Sequence, residues 1–428
     1  MCILSKSVRF FSPRCSRSAK HAQSYTRTSR WPTPRYAICV TAWVLMVLTP
    51  DRGSCKTTFT LGDLAGGWNL HGLTSGYPGD FQSWVYGTMT CDASGVFTQL
   101  STDRADDEAS PVGGKFEITP DGIVTIPGGS GLGSSFHGVM RRNKDTMVLT
   151  GNDGGGGYFL VIYTRRLETC AVSDLKGAWV YHGLISNTES DTAPRWWHGS
   201  ATMDERGNMS FDSPFVDSEG DVEIPRPGKF RMTEGGIVVP DSSHMAPYHG
   251  AMSQSKDMMV GVATVFVGYI EEADSDIPGD ILYVWEKQVP GSYTMRDLAG
   301  TWYVHGLVSG SSYNDWTGWY HSTWFVDGQG KGDTVAGSYL NSHGETSQSA
   351  SGAMSITSDG IITMSNAPTF HGIMSPGKDM WVGTMDDGGG GYGLVIAVGH
   401  DPVDEFDFNA DGRVNFIDLA IFASHWLN

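Results

Sequence analysis

One sequence motif occurs three times in this chain, at intervals of 111 and 123 residues. The motif is Asp-Leu-x-Gly-x-Trp-x-x-His-Gly-Leu, and its copies begin at Asp63, Asp174 and Asp297. A second motif, an aromatic residue followed by His-Gly, places its histidine 66, 67 and 66 residues after the first one, and a Lys-Asp pair begins seven residues later each time. This fixed register predicts three tandem copies of one module.

The two motifs set the expected domain boundaries. We expect an N-terminal segment at residues 1–55, modules at 57–166, 169–288 and 292–400, and a C-terminal segment at 404–428. Copies one and three share the run Asp-Gly-Gly-Gly-Gly-Tyr before their last apolar stretch, whereas copy two has a longer acidic stretch there. Because each copy repeats the whole pattern, each module is expected to close a core of its own.

The third copy contains eight short apolar stretches separated by turn sequences such as Asp327-Gly-Gln-Gly, which favour hairpins. The predicted strands are Trp302–Leu307, Trp319–Val326, Lys331–Val335, Gly352–Ile356, Ile361–Met364, Phe370–Met374, Met380–Met385 and Tyr392–Val398. The sequence therefore predicts an all-β protein of three antiparallel meanders, each closed into an eight-stranded barrel so that no edge is left unpaired. The alternative is one six-bladed propeller, because eight strands also make two four-stranded blades.

Each copy opens with Gly-x-Trp, at Gly66/Trp68, Gly177/Trp179 and Gly300/Trp302. This signature resembles the first strand of the lipocalin and avidin superfamily. The resemblance implies that the tryptophan plugs one end of an eight-stranded barrel. It also implies an internal cavity for a small ligand.

The N-terminus has the pattern of an export signal. Residues 1–35 carry eight Lys and Arg and no acid, and Ala37–Leu48 is a mostly apolar stretch of twelve residues. That length suits a signal peptide and is short of the roughly 20 residues that span a membrane. Gly53 and Cys55 put small residues before a possible cut at Lys56, so we expect a secreted or cell-surface protein, with the segment either cleaved or kept as an anchor.

The rest of the chain is strongly acidic. The net charge is −18 overall, and beyond residue 35 there are 21 Lys and Arg against 47 Asp and Glu. Nucleic acids require a basic surface, so this charge excludes them as a partner. Acidic chains are instead suited to solubility and to divalent cations.

Residues 407–418 have the spacing of a calcium-binding loop. Gly412 stands at position 6, where the loop must turn sharply, and Arg413 at position 7 would contribute its backbone carbonyl. Oxygen-bearing side chains occupy loop positions 1, 3, 5, 9 and 12, namely Asp407, Asn409, Asp411, Asn415 and Asp418. A short apolar helix is predicted after the loop, and the whole predicts one bound Ca²⁺.

The loop resembles a dockerin type I repeat, because position 12 is Asp418 rather than Glu and no helix is predicted before it. The resemblance implies a module that folds around calcium and docks onto a cohesin, often in extracellular polysaccharide-degrading assemblies. This chain departs from the usual pattern in having one repeat instead of two. Loop positions 10 and 11 are Phe416 and Ile417 rather than small hydroxyl residues.

Two further sets of repeated residues are candidates for function. The six motif histidines could bind metal or act as bases, but their threefold recurrence favours a structural role at a barrel end, and the Lys-Asp pairs are expected at exposed turns. Aromatic residues cluster near the second strand of each copy, where they either stack on sugar rings or pack a core. These clusters are Trp84 with Tyr86, Trp196-Trp197-His198, and Trp316 with Trp319-Tyr320-His321.

These observations together predict an exported, non-catalytic binding or structural protein. The prediction includes association with a carbohydrate or with a surface. No carboxylate pair, Ser-His-Asp order or Cys-His pairing stands out, so no catalytic residue is assigned. The alternatives are a lipocalin-like carrier of a small ligand and a secreted enzyme of polysaccharide metabolism. The expected partners are a cohesin-like or other surface protein at the C-terminal segment and a glycan or small apolar ligand, with membrane contact only through an uncleaved N-terminus.

Overall fold

The computed structural model describes most of the chain between residues 58 and 402. The described part excludes residues 76–82, 104–109, 129–134, 153–156, 188–194, 213, 219, 221, 224–226, 242–247, 268–276, 311–316, 347–349 and 387–390. The export signal and the calcium loop predicted from the sequence therefore lie outside the described residues. Within these residues, no helix has both the length and the apolar character needed to cross a membrane.

The first module is a closed antiparallel barrel, here called barrel 1. Its strands are β1 (Gly66–Ser75), β2 (Ser83–Cys91), β3 (Val96–Asp103), β4 (Ser110–Lys115), β5 (Glu117–Ile118), β6 (Ile123–Ile126), β7 (Phe136–Met140), β8 (Thr146–Asn152) and β9 (Tyr158–Arg165). Each strand from β1 to β4 and from β5 to β9 pairs with the next, and β9 returns to pair with β1. Only Phe116 separates β4 from β5, so the two count as one strand, broken in the middle, and the barrel has eight.

Barrel 2 repeats this closure. Its strands are β10 (Gly177–Asn187), β11 (Arg195–Met203), β12 (Asn208–Phe211), β13 (Phe215–Asp217), β14 (Val222–Glu223), β15 (Gly228–Met232), β16 (Ile237–Pro240), β17 (Tyr248–Met252), β18 (Met258–Val267) and β19 (Ile277–Lys287). Strand β10 pairs with both β11 and β19, which closes eight strands, and β13 and β14 form an extra hairpin on β11.

Barrel 3 has the same topology. Its strands are β20 (Gly300–Gly310), β21 (Gly318–Val326), β22 (Lys331–Thr334), β23 (Leu340–Asn341), β24 (Ser351–Ile356), β25 (Ile361–Met364), β26 (Ala367–Met374), β27 (Met380–Asp386) and β28 (Gly391–Pro402). Strand β28 pairs with β20, and the short β23 is an addition to β21. All eight strands predicted for this copy are present, so the barrel prediction is confirmed and the propeller alternative is wrong.

The repeated tryptophan closes one end of every barrel. Trp68, Trp179 and Trp302 are buried at the start of β1, β10 and β20. Each indole Nε1 donates a hydrogen bond of 2.7 to 2.8 Å to a carbonyl in the one-turn helix before its strand. These helices are Leu61–Leu64, Val172–Leu175 and Met295–Leu298. The plug implied by Gly-x-Trp is therefore present three times.

The motif aspartate and the distant Lys-Asp pair are parts of the same plug. Asp63 accepts a hydrogen bond from the backbone N–H of Thr60 and so caps the helix, and Lys144 lies 2.9 Å from its carboxylate. Lys256 pairs with Asp174 and Lys378 with Asp297 at the same distance. The three lysines have φ of 62°, 60° and 56°, in the left-handed region, because each stands in a tight hairpin turn.

Four hydrophobic cores hold the protein together, one inside each barrel and one between them. Side chains alternate along each strand, so that on β1 Trp68 and Leu70 face the barrel interior and Leu73 faces outward. The outward residues of the first and last two strands of all three barrels meet in a shared core, which includes Leu73, Val148, Leu184, Val260, Leu307 and Val382. Each module does close its own core, as expected, but it also buries an outer face against its neighbours.

Candidate functional site

The repeated histidines meet between barrels, not at a barrel end. The Nε2 of His71 in barrel 1 lies 2.9 Å from the Nδ1 of His249 in barrel 2, and His182 in barrel 2 makes the same contact with His371 in barrel 3. In the third interface the rings of His305 and His137 are 5.4 Å apart, and His305 Nδ1 is 3.1 Å from Thr150 Oγ1 of barrel 1. The barrels therefore form a closed ring in which each contacts the next through equivalent histidines.

A third ring stacks on every histidine pair. The stacking residue comes from the second strand of the barrel that supplies the first-motif histidine, and its ring centroid is 3.8 Å from that of the partner histidine. The stacks are Tyr86 on His249, His198 on His371 and His321 on His137. Aromatic planes at this distance pack tightly, so the cluster joins the barrels.

Burial keeps these imidazoles neutral. It lowers the pKa of His71, His182 and His305 well below the ordinary value of 6.5. It also lowers the pKa of the second-motif histidines, His137, His249 and His371, to about 4, and that of His198 and His321 to about 3. In the described part of the chain, no group of three or more His, Cys, Asp and Glu side chains is arranged to hold a metal ion. The geometry thus supports the structural interpretation of the repeated histidines.

The aromatic clusters are interface elements as well. Trp84 Nε1 donates to Thr264 Oγ1 of barrel 2 at 2.9 Å, Trp196 to Asp386 of barrel 3 at 2.5 Å and Trp319 to Asn152 of barrel 1 at 2.5 Å. These indoles are buried or half-buried and are not free to stack on sugars. The sugar-stacking alternative is therefore wrong for these three residues, while Trp316 lies outside the described residues.

One arginine joins the three barrels where their Lys-Asp turns converge. The Arg141 guanidinium donates to Asp257 of barrel 2 and Asp379 of barrel 3, with the closest contact to each at 2.8 Å. These aspartates belong to the repeated Lys-Asp pairs, so the expectation that the pairs are exposed holds only in part: the lysines are partly exposed, and the aspartates are buried. Burial alone would lower the pKa of Arg141, but the nearby carboxylates outweigh it and raise the pKa well above its usual value. The guanidinium therefore stays positively charged.

Glu286 lies in the same buried region. It is fully buried, and neither carboxyl oxygen has a hydrogen-bond partner among the described residues. Burial raises its pKa well above the usual value, and Asp257 and Asp379 add to this, although Arg141 opposes it. Burial without a hydrogen-bond partner thus favours the neutral form of this carboxyl group.

Among the described residues, barrel 3 contains a cavity of about 740 Å³, which has room for a ligand. This volume lies in the range of about 300 to 1,000 Å³ that is typical of small-molecule sites, whereas two other clefts of 180 and 230 Å³ are smaller. Val308 lines the cavity and follows Trp302 by six residues on β20, which corresponds to about 20 Å. Trp324, which also lines the cavity, pairs with Trp302 itself, so the cavity extends along the barrel from beside the plug towards its other end.

Barrel 3 has smaller side chains than the other barrels at several equivalent positions, although Trp324 is larger than its equivalents Met89 and Ala201. The cross-strand pair at the end opposite the plug is Thr74 with Phe159 in barrel 1 and Ile185 with Ile281 in barrel 2, but Val308 with Gly393 in barrel 3. A Cβ at Gly393 would be 3.6 Å from both Met385 and Val308, so a side chain there would meet the cavity wall. Further inside, barrel 3 has Val304, Val395 and Ala397 where barrel 2 packs Tyr181, Tyr283 and Trp285.

The cavity wall combines aromatic, thioether and polar groups. Tyr320 and Tyr339 have ring centroids 6.2 Å apart, and Trp324 occupies the position held by Met89 and Ala201 in the other barrels. Ser322 is buried, and its hydroxyl has no hydrogen-bond partner among the described residues. The remaining contacts include Met364, Met385, Asn366, Thr369, Glu345 and Asp386. Such a wall can hold an apolar body and orient a few polar groups.

The sequence alone did not identify these residues. Aligning the three copies position by position exposes Gly393, Trp324 and Asp386 as the places where copy three departs from the others, and this is the signal that could have found the cavity. The metal ligands predicted from the sequence are outside the described residues. They are Asp407, Asn409, Asp411, Arg413, Asn415 and Asp418.

Comparisons with known proteins give no family. No family model matches the chain, and no curated protein matches it either. Among solved structures, a protein of unknown function from the DUF3598 family of Nostoc punctiforme is 9% identical over 54% of this chain and 99% of its own, with a TM-score of 0.20. Transferrin binding protein B of Haemophilus parasuis, as a Trp-176-Ala mutant, is 10% identical over 79% and 76%, with a TM-score of 0.23. The isotype 1 protein of the same name from Neisseria meningitidis is 8% identical over 78% and 76%, also at 0.23. TM-scores this far below 0.5 do not establish a common fold with any of these proteins.

Proposed function

We propose that this chain is an exported, non-catalytic binding protein whose third barrel carries a small ligand. The observation that supports the proposal is the cavity of about 740 Å³ in barrel 3. The two other barrels supply most of the interfaces that hold barrel 3 in place, through the shared core, the histidine pairs and Arg141. A rigid barrel with one open end binds without rearrangement, which lowers the entropic cost of association.

The composition of the cavity wall favours an amphipathic ligand. Trp324, Tyr320 and Met385 offer apolar surface, and burying the ligand's apolar atoms against them supplies the free energy of binding. The hydroxyl of Ser322 has no partner among the described residues, and a buried hydroxyl without a hydrogen bond is costly. A ligand with one hydrogen-bonding group near this residue would remove that cost.

The test is a titration of the full-length chain with N-phenyl-1-naphthylamine, an uncharged dye whose fluorescence rises in apolar sites. We expect a saturable increase with one dye bound per chain. Ser322→Phe, which places a ring in the cavity, and Gly393→Ile, which restores the side chain of Ile281, should each reduce dye affinity at least fivefold. The matched control is Ser355→Phe, at an exposed position on the outer face of barrel 3, which should bind as the wild type does. A chain that takes up no dye, or variants that all bind equally, would contradict the proposal.

We propose in addition that the C-terminal segment binds one Ca²⁺ and attaches the protein to a surface partner such as a cohesin-like domain. The support is the donor set of the loop, with carboxylates at Asp407, Asp411 and Asp418 and amides at Asn409 and Asn415. Hard cations such as Ca²⁺ prefer oxygen ligands of this kind at this spacing. Export rests on the basic and apolar N-terminal segment.

A further inference from the structure

We infer that the ligand of barrel 3 is an organic cation with an apolar body, a conclusion that rests on the proposed function of the cavity. The residues that line it include two carboxylates, Glu345 and Asp386, but no Lys, Arg or His. Neither carboxylate forms an ion pair with any other described residue. The wall therefore carries negative charge that the described part of the protein does not neutralise.

The charge of Asp386 is not needed for the interface between the barrels. Its carboxylate accepts a hydrogen bond of 2.5 Å from the indole of Trp196 in barrel 2. The equivalent tryptophans of the other interfaces donate to Asn152 and Thr264, which are neutral. An uncharged acceptor serves there, so an amide in place of the Asp386 carboxylate would still accept this bond.

The second carboxylate, Glu345, lies in the solvent-exposed part of the cavity wall. Glu345 is exposed and accepts a hydrogen bond of 2.8 Å from the amide of Asn341, which orients it without cancelling its charge. With Asp386 half-buried at the end of β27, the cavity wall includes one exposed and one half-buried carboxylate. Negative charge at the mouth of a low-dielectric site raises the local concentration of cations.

The aromatic residues of the wall suit the same ligand class. The faces of Trp and Tyr rings carry negative charge density and attract cations, tryptophan most strongly. Trp324, Tyr320 and Tyr339 all line the cavity, and barrels 1 and 2 have Met89 and Ala201 at the position of Trp324. Met364 and Met385 add polarizable apolar surface for the rest of the ligand.

The test uses three probes that share a phenyl ring and differ in charge. Phenyltrimethylammonium is the cation, tert-butylbenzene its uncharged isostere and benzenesulfonate the anion, and each competes with bound N-phenyl-1-naphthylamine on the full-length chain. We expect the cation to displace the dye at concentrations at least tenfold lower than the uncharged isostere, and the anion to be the weakest. Dye that binds but is displaced equally by all three would overturn the inference while leaving the proposed function intact. A wild-type chain that binds no dye would overturn both.

Two variants assign the preference to the carboxylates. Asp386→Asn keeps an acceptor for Trp196 and should weaken phenyltrimethylammonium about fivefold to tenfold, with tert-butylbenzene unchanged. Glu345→Gln, at an exposed position where folding is not at risk, should weaken the cation by about twofold to threefold. The control is Asp333→Asn, which removes a carboxylate from the outer face of the same barrel and should alter neither probe. A cation preference that survives the combined Asp386→Asn and Glu345→Gln substitutions would contradict the inference.

Discussion

At the scale of single residues, departures from the repeat indicate where this molecule has special requirements. Glu286 occupies a position held by Thr164 in barrel 1 and by Val398 in barrel 3. It is fully buried, and its carboxyl group has no hydrogen-bond partner among the described residues. Nothing in the strand requires an acid there, since the equivalent valine packs in the shared core.

Glu286→Val should stabilise the protein at neutral pH. Because the folded-state pKa of Glu286 lies above the unfolded value of 4.5, the wild-type chain loses stability as pH rises from 4.5 towards that folded pKa. We expect a gain of about 1 to 3 kcal/mol at pH 7, the cost of a buried polar group without a partner, and a smaller gain at pH 4.5. Guanidinium unfolding at both pH values measures it, with the exposed Glu205→Val as control. A variant less stable than wild type at pH 7 would show that Glu286 makes a favourable interaction.

At the scale of secondary-structure elements, the sequence predicted much of the fold. The eight strands of the third copy follow from short apolar stretches bounded by turns, for example Lys331–Thr334 after Asp327-Gly-Gln-Gly. The plug was implied by the resemblance of Gly-x-Trp to the first strand of the lipocalin and avidin superfamily. Strand positions depend on local sequence, so they could be predicted without a structure.

The cavity and the interfaces could not be predicted in the same way. His71 and His249 are 178 residues apart in sequence, and their contact depends on how two barrels pack. The buried Asp257 and Asp379 belong to turns that look solvent-exposed in the sequence, and only the approach of Arg141 from another barrel explains their burial. Similarly, Gly393 marks a cavity only once its neighbours Val308 and Met385 are known.

The calcium loop is a separate element with its own prediction. Titration calorimetry of the full-length chain should give one Ca²⁺ with a dissociation constant of roughly 10⁻⁵ to 10⁻³ M, because only three of the side-chain ligands are charged. Without the ion these carboxylates repel each other, so binding should be coupled to folding of the segment. The double variant Asp407→Ala, Asp411→Ala should lose the binding heat. Equal heat in the variant and the wild type would mean that the loop is not the site.

At the scale of the whole molecule, three barrels form one closed ring. A ring made from one chain uses the same heterologous contact three times, as a cyclic trimer does with separate subunits. The contacts around the ring are chemically similar but not identical, since Tyr86 stacks where the other interfaces use His198 and His321. This difference allows the contribution of the histidines to be tested.

The ring should lose stability steeply as pH falls from 6.5 towards 4. Eight interface histidines have folded-state pKa values below 6.5, so the unfolded chain binds more protons than the folded chain in this window. Each contributes up to about 1.4 kcal/mol of lost stability per pH unit. Carboxylates whose pKa is lowered in the folded state, such as Asp257, reduce stability only below about pH 3.8. Glu286 acts in the opposite direction, because its raised pKa makes the folded state more stable as the pH falls.

Replacing the stacking histidines by tyrosine isolates this effect. His198→Tyr with His321→Tyr copies the Tyr86 stack of the first interface and removes two of the eight titrating groups. Guanidinium midpoints at pH 7.5, 6.5, 5.5 and 4.5 should fall less steeply for the double variant, by about a quarter of the wild-type slope, with little change at pH 7.5. Identical slopes would show that proton uptake at the ring does not govern acid sensitivity.

A crystal structure of the full-length chain soaked with 4-bromophenyltrimethylammonium would show whether barrel 3 carries the ligand site. Data collected at the bromine absorption edge locate the probe without reference to the protein density. We expect one anomalous peak per chain, inside barrel 3 beside Trp324 and Met385, with the ammonium group directed towards Asp386, and none in barrels 1 and 2. Peaks in barrel 1 or 2, or an empty barrel 3 in crystals that bind the probe elsewhere, would contradict this expectation.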